Sequence, residues 1–338
     1  MKMFLDSGYL DVGAILAARY PFVFIVGGRG IGKTYGMLKY ALDNEIFFMY
    51  MRRTQTQTDM VNKEEFNPFN QINADDGRQI IPRPFTKWNS VFEDTALEPA
   101  RPVGYSAALS TMANMRSFDA SAVDLLIYDE FIPEKHERPI KFEGVALLNA
   151  YESVNRNREL KGRPPLTMVC CANANDMANA IFLELDIVND AMKMTEKGQR
   201  VKKFPERGLM IINLDITPIG EKKKETALYK LTGARSEFSR MALENDYSFE
   251  EVGRIQPQPL KEYEPLAAVG GICIYRHKSD RRYYVCSHVS GSPAVFTTGE
   301  ADLKRFRKQF YYLWWAYLDN SVIFQNYLTQ VLFEKYIK

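Results

Sequence analysis

Apolar residues in this chain gather into five short continuous runs that are separated by stretches of helical or mixed pattern. The runs span residues 22–26, 46–51, 125–128, 166–172 and 209–214. Such runs without polar alternation are typical of strands that are buried on both faces, as occurs where helices cover a parallel sheet. The pattern therefore predicts an α/β fold with a mainly parallel sheet in the first two thirds of the chain.

Helical patterns lie between these runs. Residues 1–20 indicate a short helix in front of the first strand, and residues 145–154 indicate a further helix. Helix-favouring residues such as Met37, Leu38 and Ala41 indicate another helix soon after the first strand. Prolines interrupt residues 60–105, so the sequence predicts either a small β-rich insertion or an irregular excursion there and does not order its strands.

The last third of the chain has a different pattern. Residues 267–275, 282–286 and 294–296 predict a small antiparallel sheet, and residues 303–318 and 323–336 predict two helices rich in aromatic residues. This order indicates an α+β domain. We therefore expect an α/β domain over residues 1–197, a basic linker over 198–230 and a C-terminal domain over 231–338.

Composition adds few constraints. The 338 residues are 46% hydrophobic and 25% charged with a net charge of +2, so a nucleic-acid surface would have to come from local clusters. The four cysteines and three histidines have no zinc-site spacing, and the cysteines are expected to be buried thiols. Without a signal peptide or a membrane-length apolar stretch, the protein is expected in the cytoplasm, not secreted and not at a membrane.

A glycine-rich loop follows the first apolar run. It consists of Gly27, Gly28, Arg29, Gly30, Ile31, Gly32, Lys33 and Thr34, and Tyr35 follows in the helix. Glycines let the backbone N–H groups surround phosphate oxygens at the positive end of the helix. Lys33 would add a charge on the β- and γ-phosphates, and the Thr34 hydroxyl would bind Mg²⁺. The sequence predicts a site for ATP and Mg²⁺, with residues 27–35 as its nucleotide-binding segment.

Two carboxylates end the third apolar run. Asp129 at the carboxyl end of a central strand would hold the Mg²⁺, and Glu130 would accept a proton from the attacking water. The pair lies about 95 residues after the phosphate loop. Because both motifs need the same metal ion, their presence in one chain strengthens the prediction of a metal-binding and catalytic pair. An acid at the second position favours an ATP hydrolase over GTPases and small-molecule kinases.

A polar amide follows the fourth run, where ATPases of the additional-strand class place a sensor for the γ-phosphate. Asn173 is the first candidate and Asn175 the second; an ordinary turn is the alternative. Arg156 and Arg158 end the helix over 145–154 and cannot lie on one face, so one of them could point toward a neighbouring subunit.

Basic residues gather late in the chain and after the second run. Eleven Lys and Arg stand against six Asp and Glu over residues 196–240, including residues 202–203 and 222–224. A solvated face is the usual meaning of such clusters, and contact with DNA phosphates or another subunit is the alternative. Arg52 and Arg53 at the end of the second run could contact nucleotide or DNA, or simply mark a solvated strand end.

Together the loop 27–34, the segment 52–55 and the segment 128–133 resemble the DNA-encapsidation ATPases of phi29-like bacteriophages, best over residues 15–180. The resemblance implies a P-loop ATPase of the additional-strand class that drives double-stranded DNA into a procapsid. Its partners would be DNA, the portal or connector, further copies in a ring that is expected to be a pentamer, and, left open, a structural RNA.

The resemblance also implies roles that spacing alone does not give. An arginine finger would reach the nucleotide of the neighbouring subunit, with Arg158 the first match and Arg156 the reserve. The C-terminal domain would be a degenerate RNase H-like nuclease, because the expected first strand over 270–275 contains no acid. The alternatives are a terminase with an active nuclease, a helicase, and an ATP-gated assembly or secretion factor that does not touch DNA.

Overall fold

The computed structural model describes residues 2–115, 118–134, 137–138, 140–173, 177, 179–214, 217–232, 239 and 254–338. The chain divides into two compact units. The first contains residues 1–184 and 193–247, and the second contains residues 185–192 and 248–338.

A nine-stranded sheet with helices on its faces forms the first unit. Its strands are β1 (Phe22–Gly27), β2 (Phe48–Arg52), β3 (Ile80–Pro84), β4 (Ser90–Asp94), β5 (Arg101–Ala108), β6 (Leu125–Asp129), β7 (Thr167–Ala172), β8 (Val201–Phe204) and β9 (Leu209–Leu214). The helices up to residue 232 are α1 (Val12–Leu16), α2 (Lys33–Asp43), α3 (Gln55–Val61), α4 (Asn70–Asp76), α5 (Glu143–Asn155), α6 (Ala180–Glu184), α7 (Val188–Glu196), α8 (Pro218–Lys223) and α9 (Ala227–Thr232). Of these, α7 begins in the second unit, which contains residues 185–192.

The five apolar runs all form central strands of this sheet. Its order is β3-β4-β5-β2-β6-β7-β1-β9-β8, and the pairs from β5 to β9 are parallel. Strand β7 lies between β1 and β6, which is the arrangement expected of the additional-strand class. The run predictions are thus confirmed, with boundaries that differ by one or two residues.

Strand register decides which residues meet at one edge. Val26 of β1 is opposite Ala172 of β7, and Asp129 of β6 is opposite Cys171 of β7. Since these strands are parallel, their carboxyl ends lie side by side, and the loops that leave them share one edge of the sheet.

The proline-rich segment 60–105 is β-rich and belongs to the sheet. Strands β3 and β4 pair antiparallel with each other, and β4 pairs antiparallel with β5, so they extend the sheet on one side. Of the two predicted possibilities, the structure selects the β-rich one.

The expected linker over 198–230 is not a linker over its first half, because β8 and β9 belong to the same sheet as β1. β8 is an antiparallel edge strand that carries Lys202 and Lys203. Lysines on an edge strand discourage pairing with another chain, which is a structural reason for this basic cluster. The sheet of the first unit therefore continues to residue 214, beyond the expected boundary at 197.

The second unit contains a five-stranded sheet and aromatic helices. Its elements are β10 (Tyr263–Val269), β11 (Ile272–His277), β12 (Tyr283–Cys286), β13 (Ala294–Phe296), α10 (Glu300–Gln309), α11 (Tyr312–Leu318), β14 (Val322–Phe324) and α12 (Tyr327–Ile337). The sheet order is β13-β10-β11-β12-β14. Its aromatic residues pack into the core of the unit, among them Phe306, Phe310, Phe324 and Phe333.

Three predictions for this unit are wrong in detail. The helix expected over 303–318 is two helices, α10 and α11, and the helix expected over 323–336 begins only at Tyr327, after β14. The sheet is mixed and not antiparallel, because β13 pairs parallel with β10 and β14 parallel with β12. The stretch 267–275 is a hairpin and not one strand: Gly270 and Gly271 both have positive φ, as a two-residue hairpin turn requires. The first strand, β10, consequently does contain an acid, Glu264, which is exposed and pairs with Arg276 at 3.2 Å.

Within the described part of the chain, no helix is both long and apolar enough to cross a membrane.

Candidate functional site

The glycine-rich loop connects β1 to α2 in the predicted way. Gly30 and Gly32 have φ values of +72° and +88°, which side chains rarely adopt. Gly27 lies so close to Leu214 of β9 that an added Cβ would stand 2.9 Å from the leucine Cβ. Ile31 is 1% exposed and anchors the loop in the core, and its carbonyl accepts a hydrogen bond from the backbone of Leu10 at 3.0 Å.

Lys33 begins α2, and its ammonium group turns back into the loop. Its Nζ donates to the carbonyls of Gly27 at 2.9 Å and Gly28 at 2.8 Å, and to Oδ1 of Asn173 at 3.2 Å. Burial lowers the pKa of Lys33 to about 8. A buried ammonium group held mainly by neutral oxygens is an effective anion-binding group.

Thr34 and Asp129 meet across the same edge. The threonine hydroxyl donates to Oδ2 of Asp129 at 2.9 Å, and the hydroxyl of Tyr50 donates to the same oxygen at 2.8 Å. Asp129 is 4% exposed. A hydroxyl and a carboxylate in direct contact beside a phosphate loop form the oxygen donor set that Mg²⁺ prefers, so these residues fit the ion.

Glu130 lies just beyond the end of β6 with a strained backbone. Its φ is +56°, a value that is rare for a residue with a side chain and that often occurs at functional sites. Its carboxylate forms an ion pair with Arg52 from the end of β2. Burial raises the pKa of Glu130, and Arg52 opposes that rise. The side chain remains 47% exposed, so water can reach the carboxylate.

Asn173 follows β7 directly and reaches the site through Lys33. The structure thus brings together Lys33, Thr34, Asp129 and Asn173 at one edge, with Glu130 next to them in the chain. Asn175, the second sensor candidate, lies outside the described residues.

The two candidate finger arginines lie elsewhere. Arg158 is 7% exposed, pairs with Asp124 and donates to the carbonyl of Val123 at 2.7 Å, so it is bound within its own subunit. Arg156 is 46% exposed and donates to the carbonyl of Phe118 at 2.7 Å. Because Val123 and Asp124 precede β6, Arg158 lies at the amino end of that strand, away from the nucleotide edge. The preference for Arg158 therefore conflicts with its burial, and Arg156 is the arginine that faces solvent.

Two other residues of the predicted nucleotide segment have partners of their own. Arg29 pairs with Glu134, and both side chains are about 40% exposed. Tyr35 donates its hydroxyl to Asp75 of α4 at 2.8 Å, which directs its side chain toward that helix.

The structure brings three further residues to the site. Tyr50, which the sequence does not single out, contacts Asp129. Arg52, a possible nucleotide contact by its place at a strand end, contacts Glu130, and Lys223 of α8, from the basic cluster 222–224, donates to the carbonyl of Arg29 at 2.6 Å. The order of strands in the sheet is what places β2 beside β6, and nothing in the local pattern of β2 indicates that neighbour.

Arg53, the residue after Arg52, is buried in an ion pair and does not contact the site. It is 1% exposed and binds Glu143 of α5 through two hydrogen bonds of 2.7 and 3.1 Å, and Glu137 at 3.0 Å. It therefore ties the end of β2 to the segment that follows Glu130, and does not face solvent or nucleotide as the sequence suggested.

Comparison with known proteins gives consistent matches. A family model described as Podovirus DNA encapsidation protein (Gp16) matches residues 6–257, well over half of the chain. The DNA packaging protein of Bacillus phage phi29 is 27% identical over 231 residues, which is 66% of this chain and 61% of that protein. The DNA packaging protein of Bacillus phage B103 is 28% identical over 233 residues, with 66% and 63% covered. The matched region thus spans less than two thirds of these relatives.

Two solved structures share the fold over nearly the whole chain. A chain of the bacteriophage Phi-29 viral genome packaging motor assembly superposes with a TM-score of 0.67 at 20% identity, covering 98% of this chain and 100% of that one. A chain of the Phi-28 DNA packaging motor gives 0.64 at 19% identity, covering 97% of both.

Proposed function

Because the chain belongs to the Podovirus DNA encapsidation protein (Gp16) family, we propose that it is an ATPase that moves double-stranded viral DNA into a procapsid. The observation that carries the proposal is the convergence of Lys33, Thr34, Asp129 and Asn173 at the carboxyl ends of three adjacent parallel strands. These are the groups that phosphoryl transfer requires for binding phosphate and metal.

Each residue has a role that follows from its position. The loop N–H groups and Lys33 bind the phosphates, and Thr34 with Asp129 would hold Mg²⁺, which supplies charge neutralisation at the phosphate oxygens. Glu130 accepts the proton of the attacking water. Asn173, in contact with Lys33 at 3.2 Å, orients that water and responds to loss of the terminal phosphate.

Arg52 and Tyr50 support these groups from β2. Arg52 holds the Glu130 carboxylate, and Tyr50 donates to Oδ2 of Asp129 at 2.8 Å. The other oxygen, Oδ1, accepts the N–H of Glu130 at 3.1 Å, so both oxygens of the metal-binding carboxylate are held in place. A second layer of hydrogen bonds of this kind fixes the geometry of the groups that react.

For the arginine finger we propose Arg156 in place of the expected Arg158. A finger that acts on a neighbouring subunit must be exposed and distant from its own nucleotide site. Arg156 meets both conditions, whereas Arg158 is buried in an ion pair.

The proposed function implies three partners: DNA, further copies of this chain in a ring, and the portal of a procapsid, at whose vertex the ring acts. The relatives are named as DNA packaging proteins, and the similar structures as packaging motors.

The second unit is proposed to be a nuclease-like remnant that binds DNA or the portal. Its three antiparallel strands β12, β11 and β10, with β13 parallel to β10, share the strand pattern with which an RNase H-like sheet begins. Among the described residues, no cluster of three His, Cys, Asp or Glu could hold a metal ion. Two-metal nuclease chemistry needs such a cluster, which supports a binding role.

The test is ATP-dependent uptake of DNA into matching procapsids, measured as DNA protected from added nuclease. We expect protection with the wild-type chain and none with Glu130→Gln, which should still bind ATP because Lys33 and Asp129 are intact. General-base catalysis is worth about 10²- to 10⁴-fold, so ATP turnover should fall by at least about a hundredfold. Normal uptake by Glu130→Gln would contradict the assigned role, and ATP turnover that no DNA stimulates would favour an assembly factor.

A further inference from the structure

Helix α8 brings a second lysine to the phosphate loop. Thr217 caps the start of the helix, since its hydroxyl oxygen accepts a hydrogen bond from the N–H of Gly220 at 3.0 Å. Pro218 is the first residue of the helix. Ile219 is 8% exposed and belongs to the same core cluster as Ile31 of the loop. Since α8 is fixed at its start and packed into the core, the position of Lys223 at its last turn is defined by the fold.

The ammonium group of Lys223 lies against the middle of the loop. Its Nζ donates to the carbonyl of Arg29 at 2.6 Å, and a Cβ added at Gly30 would collide with it. Gly30 therefore has a second function beyond its positive φ, because the missing side chain leaves the space that Lys223 occupies.

The charge of Lys223 has no carboxylate partner among the described residues. Its neighbours in the basic cluster differ: Lys224 pairs with Glu221 at 3.0 Å, and Lys222 is exposed. Arg29 is paired with Glu134. Burial and the nearby Arg29 lower the pKa of Lys223, with no acid opposing them.

A half-buried cation without a counter-ion, on a loop built to bind phosphate, is stabilised when an anion arrives. Lys33 binds the carbonyls of Gly27 and Gly28, and Lys223 binds that of Arg29, so two ammonium groups lie along one stretch of the loop where both could contact a phosphate chain.

We propose that Lys223 is a second phosphate-binding lysine, which contacts the β- and γ-phosphates of a nucleotide bound in the loop. This rests on the proposed function, because it assumes that the loop binds ATP. It removes Lys223 from the cluster 222–224 that the sequence offered as a DNA contact. It also connects α8, and the chain that follows it, to the nucleotide state of the site.

The experiment measures ATP affinity by titration calorimetry in Mg²⁺ for the full chain and four variants. Lys223→Gln and Lys223→Ala remove the charge, Lys222→Gln removes an equal charge one residue away, and Lys33→Ala removes the loop lysine. Charge-assisted hydrogen bonds contribute about tenfold or more to affinity. We expect Lys223→Gln and Lys223→Ala to weaken ATP binding at least about tenfold, and Lys222→Gln less than about twofold.

Thermal melting without nucleotide separates binding from folding. Removing an unpaired, half-buried charge should leave the melting temperature of Lys223→Gln equal to or above that of the wild type. A lower melting temperature, with ATP affinity unchanged, would make Lys223 a structural residue and overturn the proposal. Weakened DNA binding with unchanged ATP affinity would overturn it as well, in favour of a DNA contact.

The same data distinguish the two proposals from each other. If the wild type binds ATP, Lys33→Ala does not, and Lys223→Gln binds as tightly as the wild type, only the assignment of Lys223 fails. If Lys33→Ala binds ATP like the wild type, or the wild type does not bind it, the loop is not the ATP site and the proposed function itself fails.

Discussion

Arg156 and Arg158 are separated by one residue, and the structure predicts that their replacement by alanine impairs different properties: ATP turnover for Arg156 and stability for Arg158. Arg156→Ala should abolish ATP turnover in assembled rings and leave the fold intact. Arg158→Ala should destabilise the fold and affect turnover only through that loss. The reason is their surroundings: the Arg156 side chain is 46% exposed, and that of Arg158 is 7% exposed and bound to Asp124 and Val123.

The magnitudes follow from the contacts that are lost. Without Arg158 the carbonyl of Val123 loses the donor at 2.7 Å, which costs about 1–3 kcal/mol in the free energy of unfolding. Asp124 keeps Arg163 at 3.1 Å, so no carboxylate is left without a partner and the cost stays in that range. Arg156 lies on the surface, where substitutions stay within about 0.5 kcal/mol. As a finger, however, it would be worth about 10³-fold or more in turnover.

The assay combines denaturation with mixed rings. Hydrogen exchange of peptides from β6 at increasing urea reports the free energy of unfolding of the first unit. ATP turnover is measured for each variant alone and for Arg156→Ala mixed with Lys33→Ala. In the mixture one subunit supplies an intact arginine and the other an intact nucleotide site, so a finger that acts between subunits should restore part of the activity.

Arg163→Ala is the matched control, because its side chain is 43% exposed and contacts the same Asp124. It should change neither turnover nor stability by much. The reasoning is refuted if Arg156→Ala turns over ATP at the wild-type rate. Failure of the mixed rings to recover activity would exclude action between subunits.

Three further predictions concern other parts of the chain. Arg53→Met should lower the free energy of unfolding of the first unit by about 3–5 kcal/mol, because it leaves the buried Glu143 carboxylate without its cation. The control Arg101→Met removes an exposed ion pair and should cost less than about 1 kcal/mol. Equal effects of the two variants in urea denaturation would contradict this. Tyr50→Phe removes one of the two hydroxyl groups that donate to Oδ2 of the metal-binding Asp129 and so loosens the position of its carboxylate. The Mg²⁺ concentration for half-maximal ATP turnover should therefore rise about tenfold, and an unchanged Mg²⁺ titration would count against it. In the β10–β11 turn, Gly270→Ala should lower the melting temperature of the second unit more than Gly271→Ala, since only at Gly270 would a Cβ collide with a tyrosine hydroxyl; the reverse order would be evidence against the turn geometry.

Local chemistry accounts for the parts of the site that the sequence predicted. A phosphate loop needs glycines at positive φ and a lysine at the start of a helix, and both requirements are satisfied within residues 27–34. The pair Asp129 and Glu130 is equally local, since the end of a buried strand places both at the sheet edge. These features depend on a few neighbouring residues, so the sequence alone predicts them.

Where sequence and structure differ, contacts between distant residues are the cause. The pattern of residues 267–275 indicates one strand, because no polar residue marks the turn at Gly270 and Gly271. Spacing favours Arg158 as the finger, which stays a prediction, because spacing does not show that Asp124 and Val123 bury this side chain. Charge indicates a linker over residues 198–230, although the apolar run 209–214 predicts a strand and lysines are used on edge strands.

The sequence by itself determined that this chain has a parallel sheet, a phosphate loop and a pair of carboxylates at a strand end, because hydrophobic runs and backbone geometry act over a few residues. Only the tertiary structure decided which strands are neighbours. That order brings Tyr50 and Arg52 of β2 to the carboxylates, and the packing of α8 brings Lys223 to the loop. Such pairings depend on contacts across tens to hundreds of residues, and no local pattern specifies them.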